Sequence, residues 1–248
     1  VQTNINDKHT MKIVFDLDNT LYSFEETGID DFMRQNIAQY IVDHMKLPME
    51  EAKTLSNKYY AEYGLCIAGL AQHHGIDAEH YCAYVHKFDM SVVKKDEPLI
   101  ALLEALAKEG HELWIFTNAD MNHADRMLSG LGIKEFFINT ADDSVRAIDC
   151  FAQWEHSSPS FQNKPDHSAY ECAAKTMNAQ PGEPVIFLDD SEANLRAPNA
   201  MGWQTVWIAH GRDVPEDRKE GWKHHVVTNI YEFPAAVPAI VEAALAKK

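Results

Sequence analysis

The sequence predicts an α/β fold: a doubly wound, Rossmann-like parallel sheet with a smaller all-helical domain inserted into it. Three observations predict it. Short apolar runs end in polar residues, amphipathic helical patterns alternate with them, and one long block after the first run holds helical patterns without a strand.

Lys12 to Asp18 is an apolar run rich in β-formers that ends in carboxylates, the pattern of a buried parallel strand with polar residues at its C-terminal end. Leu113-Trp114-Ile115-Phe116 leads likewise into Thr117-Asn118, and Pro184-Val185-Ile186-Phe187-Leu188 into Asp189-Asp190. Thr205 to Ile208 and His225 to Thr228 read as two further strands. Between them, Leu99, Leu102, Leu103 and Leu106 share one helical face, with Gly110 as its C-cap. Asp166 to Met177 and Ser191 to Met201 are further helices, each starting near a good N-capping residue. In such a sheet, ligands bind at the carboxyl ends of the strands.

From about Phe24 to Val93 the alternation stops. Ile29, Phe32, Met33, Ile37, Tyr40 and Ile41 mark an amphipathic helix, and two or three more helices follow. This block, residues 24–93, is expected to form a cap over the carboxyl edge of a core made of residues 11–23 and 94–248. The sequence has no internal repeats and no low-complexity linker.

A chain of 248 residues with 46% hydrophobic and 10% aromatic content can bury a real core, and no apolar run approaches the roughly 20 residues that span a bilayer. The net charge of −16 opposes binding to a nucleic-acid polymer, which requires clustered Lys and Arg. A small anion would then need a metal ion, a helix N-terminus or a well-placed Lys. Cys66, Cys82, Cys150 and Cys172 form no C-x-x-C pair, which fits a reducing, cytoplasmic setting. Val1 to Thr10 are polar and lack the features of a secretory signal, so export is not expected. The 13 histidines make no H-E-x-x-H pattern and are expected in scattered surface or packing roles.

Four polar clusters fall at strand ends or just before a helix, and together they suit phosphoryl transfer. Asp16 and Asp18 can divide the work, one carboxylate attacking while the other handles protons. An anionic nucleophile attacking an anionic phosphate ester needs a cation, and carboxylates at Asp16, Asp18, Asp189 and Asp190 offer the hard oxygen ligands that Mg²⁺ prefers. Thr117, Asn118 and Lys164 can hold the remaining phosphate oxygens.

The order Asp16-Leu17-Asp18-Asn19-Thr20, Thr117-Asn118, Lys164-Pro165 and Asp189-Asp190-Ser191 resembles the haloacid dehalogenase superfamily of aspartyl-phosphate hydrolases. The resemblance implies that Asp16 is the nucleophile, Asp18 the acid and base, Thr117 and Lys164 phosphate ligands, and Asp190 a metal ligand supported by Asp189. The dehalogenases of that superfamily carry a residue other than Asp at the position of Asp18. A halide leaves without a proton, whereas an alkoxide requires one, so Asp18 favours phosphatase over dehalogenase chemistry.

A narrower resemblance is to the pyrimidine 5'-nucleotidase branch, through Asp18-Asn19-Thr20-Leu21-Tyr22, the cap stretch Tyr59 to Leu65 with Gly69-Leu70, and Asp189-Asp190-Ser191 followed by Asn194. It implies a nucleoside monophosphate such as UMP or CMP as substrate, with Tyr22 and Tyr63 among the substrate-binding residues. A sugar phosphate or another small phosphometabolite is the alternative. One departure is the extended loop 141–163, in which Trp154 and Phe161 could stack on a base. A phospho-accepting receiver is a rival from another class, but its acidic pair belongs near the first strand, and it has no helical cap.

Overall fold

The structure, a computed structural model, describes residues 10–149, 163–216, 219 and 221–237. Cys150, Trp154 and Phe161 lie outside the described residues.

Six strands make one all-parallel sheet: β1 (Lys12–Phe15), β2 (Glu112–Phe116), β3 (Ala147–Ile148), β4 (Val185–Asp189), β5 (Gln204–Ile208) and β6 (His225–Val227). Their spatial order is β3-β2-β1-β4-β5-β6, so the chain winds outward in both directions from β1 and β4. In register, Ile13 stands between Leu113 and Ile186. The crevice of a doubly wound sheet opens where the order reverses, and here that is between β1 and β4. β3 interrupts the segment expected as a long loop; it is two residues long and pairs with β2 alone.

Side chains alternate across the sheet and feed two apolar layers. Ile13, Phe15, Ile186 and Leu188 pack on one face with Leu99, Leu103, Met127 and Leu128. Val14, Val185 and Phe187 pack on the other with Tyr170, Ala173 and Leu195.

Helices α1 (Phe24–Thr27), α2 (Ile29–Met45), α3 (Met49–Tyr63), α4 (Cys66–His74) and α5 (Ala78–Val85) fill the interval between β1 and β2, before α6 (Glu97–Lys108) returns the chain to the sheet. Tyr40, Ile41, Tyr59, Ile67, Leu70 and Tyr81 form a third apolar cluster of their own within α2 to α5. Phe32, counted on the apolar face of α2 from sequence, is 43% exposed. The remaining α-helices of the described residues are α7 (Met121–Leu131), α8 (His167–Thr176), α9 (Arg196–Ala200) and α10 (Phe233–Ala236). No helix among the described residues is long and apolar enough to cross a membrane.

Candidate active site

Asp16 follows the last residue of β1, and its amide donates to Leu188 O of β4 at 2.8 Å, which seats it at the β1/β4 divide. The residue is 7% exposed, with Lys164 Nζ donating to Oδ1 at 2.7 Å and Thr20 Oγ1 to Oδ2 at 3.1 Å. The chain must turn sharply after Asp18. Asn19 takes a left-handed φ of 58°, which Asn tolerates better than most residues, and its Nδ2 donates to Asp190 Oδ2 at 2.6 Å.

Asp189 ends β4 fully buried. Lys164 Nζ, Ser191 N and Asn194 Nδ2 all donate to its carboxylate. Lys164 is therefore shared: its ammonium, 1% exposed, lies 2.7 Å from both Asp16 and Asp189 and faces the rings of Phe116 and Phe187 at 5.3 and 5.4 Å. Although burial works against its charge, those two carboxylates hold the Lys164 ammonium above its ordinary pKa.

Asp16, Asp189 and Asp190 bring one carboxylate oxygen each within 4.8 Å of one another. Burial pushes Asp16 well up from the ordinary carboxylate range, with Lys164 opposing and the neighbouring acids adding to it. Burial and then the Asp189 charge raise Asp190 to about 7. Two buried carboxylates and the half-buried Asp190 face the Lys164 ammonium, with the Arg212 guanidinium 4.0 Å from Asp190, and a hard divalent cation with a preference for oxygen ligands fits that donor set.

Asp18, counted from sequence among the metal ligands, is turned elsewhere. Its Oδ1 receives the hydroxyl of Tyr22 at 2.5 Å and meets His123 Nε2 at 2.7 Å. Burial would raise its carboxyl, but His123 and the Tyr22 hydrogen bond overcome that and bring it down to about 2. β1 ends at Phe15, so Asp16 and Asp18 lie in the turn that follows it rather than on one pleated face. The structure thus separates a carboxylate cluster around Asp16 from an acid held by Tyr22 and His123.

Thr117 follows the last residue of β2 and is 1% exposed, and its hydroxyl accepts from Ala119 N at 3.0 Å. Asn118 spends its side chain on the backbone of Lys164, donating to Lys164 O and accepting from Lys164 N, each at 3.0 Å. On its other side the lysine segment is tied to the helical block: Asn163 Nδ2 donates to Tyr63 O at 3.0 Å. A Cβ on Gly64 would stand 3.0 Å from Pro165 Cδ and 3.1 Å from Lys164 O. Gly64 also sits at φ 71°, so its lack of a side chain permits both the turn and the close approach.

Of the two tyrosines expected to meet substrate, Tyr22 reaches the site but spends its hydroxyl on Asp18, whereas the Tyr63 hydroxyl bonds His73 at 2.6 Å and Glu62 at 3.0 Å. The expectation that the histidines play scattered roles is corrected at His123 and His86. Asp120, whose Oδ1 caps α7, binds His86 Nδ1 through Oδ2 at 2.6 Å. The position of His123 in the first turn of a helix that follows the Thr117-Asn118 strand end could have indicated it.

A cleft of about 2000 Å³ is lined by Asp16, Asp18, Thr117, Lys164 and Asp190 and by residues of the helical block, among them Arg34 and Tyr60. Residues 12–202 match the family described as haloacid dehalogenase-like hydrolase. The chain belongs to the haloacid dehalogenase-like hydrolase family. This hydrolase is 31% identical over 236 residues to Phosphate metabolism protein 8 of Saccharomyces cerevisiae, covering 89% of this chain and 70% of that protein. Its fold is similar to that of a hydrolase from Pseudomonas syringae, with a TM-score of 0.59 and 17% identity over 93% of this chain and 99% of the other. It is similar also to that of a haloacid dehalogenase-type phosphatase from Thermococcus onnurineus, with a TM-score of 0.56 and 17% identity over 91% and 97%. Identities this low speak to the fold alone.

Proposed function

We propose that this hydrolase is a Mg²⁺-dependent phosphomonoesterase that works through an aspartyl-phosphate on Asp16, and that its substrate is a pyrimidine nucleoside monophosphate such as UMP or CMP. The observation that carries the phosphatase reading is the separation of two kinds of acid. Asp16 shares Lys164 with Asp189 beside Asp190, while Asp18 stands apart on Tyr22 and His123.

In this reading Asp16 attacks phosphorus and the bond from phosphorus to the ester oxygen breaks; Asp18, ionised before substrate binds, takes up a proton as the negative charge of the bound phosphate raises its pKa, and gives that proton to the ester oxygen. The alcohol departs and the phosphoryl group remains on Asp16. Water then attacks the phosphorus while Asp18, now ionised, takes its proton, releasing phosphate and restoring the Asp16 carboxylate. Lys164 opposes the rise that burial imposes on Asp16 and meets the phosphate charge, assisted by Thr117 and the amides at the end of β2. Asp16, Asp189 and Asp190 would hold Mg²⁺, which supplies the positive charge that lets an anionic carboxylate approach an anionic ester.

Residues 24–93 act in this reading as a cap on a core of residues 11–23 and 94–248. Their separate apolar cluster and the tie between Asn163 and Tyr63 support that division. The cap then closes over small phosphorylated metabolites and excludes bulk water. The nucleotide assignment rests on the resemblance of the cap stretch and on the similarity to a yeast protein named for phosphate metabolism. The buried free thiols Cys66, Cys82 and Cys172 support a cytoplasmic setting.

The test is release of phosphate from UMP, CMP and a set of sugar phosphates, with Mg²⁺ and with EDTA. Hydrolysis that needs Mg²⁺, favours the nucleotides and disappears in a folded Asp16→Asn variant is expected. Preference for sugar phosphates would replace the substrate assignment, and an active Asp16→Asn would overturn the mechanism.

A further inference from the structure

The hydrogen bonding of Asp18 is one-sided. Tyr22 and His123 both meet Oδ1, at 2.5 and 2.7 Å, and no described residue bonds Oδ2. A carboxylate free to turn about its last bond presents its oxygens in many directions, whereas one clamped by two groups on one oxygen presents the other in a fixed direction. Oδ2 is then the oxygen left to exchange a proton with substrate or water.

His123 is itself fixed from beyond the core. Its side chain is fully buried in the first turn of α7, and its Nδ1 is buried without a hydrogen-bond partner, so only Nε2 anchors the ring in its plane. The ring is stacked on His86, with centroids 4.2 Å apart and planes 29° apart, and Phe88 meets it edge-on at 6.0 Å. His86 follows α5 and is held to the core at two places. Its Nδ1 bonds Asp120, and Arg126 donates to His86 O at 2.7 Å and to Phe88 O at 3.1 Å.

We infer that His123 is a positioning residue for Asp18 and that His86, brought by the segment that ends the helical cap, braces His123 by stacking, so that the acid is aimed only when that segment is seated on α7. This inference rests on the phosphatase reading, because it assigns Asp18 a proton to deliver. It also accounts for a polar group that a purely structural core would not bury, since a buried Nδ1 without a partner costs the desolvation of that atom.

The experiment compares His123→Ala, His123→Gln and His86→Ala on two esters, UMP with its poor alkoxide leaving group and 4-nitrophenyl phosphate with a good one. A lost acid slows only the ester that needs a proton. His123→Ala is expected to lower kcat on UMP about 10-fold or more, within the ~10²–10⁴-fold that general acid catalysis contributes, with less than about a threefold loss on the aryl ester and an unchanged KM. His123→Gln, which keeps a side-chain N–H, recovers part of the loss, and His86→Ala shows the same selectivity at smaller size. Equal losses on both esters, or no loss, would overturn the positioning role; so would a fall in stability without the leaving-group difference. If the wild type hydrolyses neither ester, or Asp16→Asn remains active, the phosphatase reading fails as well.

Discussion

Asn118 and Lys164 exchange two hydrogen bonds, side chain to backbone in both directions, each 3.0 Å long. The end of β2 thereby sets the path of the chain that delivers the buried ammonium to Asp16, although the two residues are far apart in sequence. Replacing Asn118 with Ala removes both bonds and frees the lysine segment. Each such bond is worth about 0.5–1.5 kcal/mol, so the expected result is a fall in melting temperature of several degrees and a kcat lowered about 10-fold or more. Calorimetry and steady-state rates check it, and an unchanged kcat would mean that Lys164 is held by Asp16 and Asp189 alone.

The carboxylate cluster sets a pH dependence on metal binding. Burial and Asp189 raise Asp190 from 3.8 to about 7, so the folded, metal-free protein favours its neutral form. A raised acid contributes stability that is present below its ordinary value and lost as pH rises through about 7. Divalent cations bind the ionised form, so the gain in melting temperature on adding Mg²⁺ is expected to be larger at about pH 8 than at about pH 5. Melts with EDTA and with Mg²⁺ at both values test this, and a gain independent of pH would detach Asp190 from the metal.

Much of this site was legible because strand ends announce themselves. Continuous apolar runs that stop at Asp16, Thr117 and Asp189 place those residues on one edge of a parallel sheet, and the sheet has that edge. β3 was not legible, since Ala147 and Ile148 pair with β2 inside a polar stretch that gives no apolar run. His123 was hidden for a different reason. The helix that carries it, α7, was not among the elements read from the sequence, and Asp120 both caps that helix and holds His86. The division of work between Asp16 and Asp18 was expected, but the groups that hold Asp18 lay beyond any periodicity, because both acids sit in the turn after β1 and not on its pleat.

Gly69 sets the packing of the helical block. A Cβ there would lie 2.3 Å from Tyr59 Cγ and 2.8 Å from Tyr59 Cβ, so α3 and α4 approach closely only because the residue has no side chain. Gly69→Ala is expected to destabilise the block: overpacking costs about 1–3 kcal/mol, against a helix-propensity gain of roughly 1 kcal/mol. Adding Tyr59→Ala should relieve the clash, so that the double variant loses less stability than the two single losses added together. Strict additivity in thermal melts would show that the ring simply moves aside.

Tyr60 is an aromatic of the helical block that lines the cleft, in contrast to its neighbour Tyr59, which is 5% exposed. Tyr60 is 62% exposed. A ring placed this way offers a flat apolar face to a leaving group that has one, and stacking on a base is worth about 1–3 kcal/mol. Tyr60→Ala is therefore expected to raise KM for UMP about 5-fold or more while changing KM for a small alkyl phosphate by less than about twofold. Tyr60→Phe, which keeps the ring, should resemble the wild type on UMP. Because the substitution leaves Asp16, Lys164 and the acidic cluster in place, a rise confined to the nucleotide would locate base recognition in α3. An equal rise for both esters would point instead to a general loss of cap closure, and no rise at all would remove Tyr60 from substrate binding.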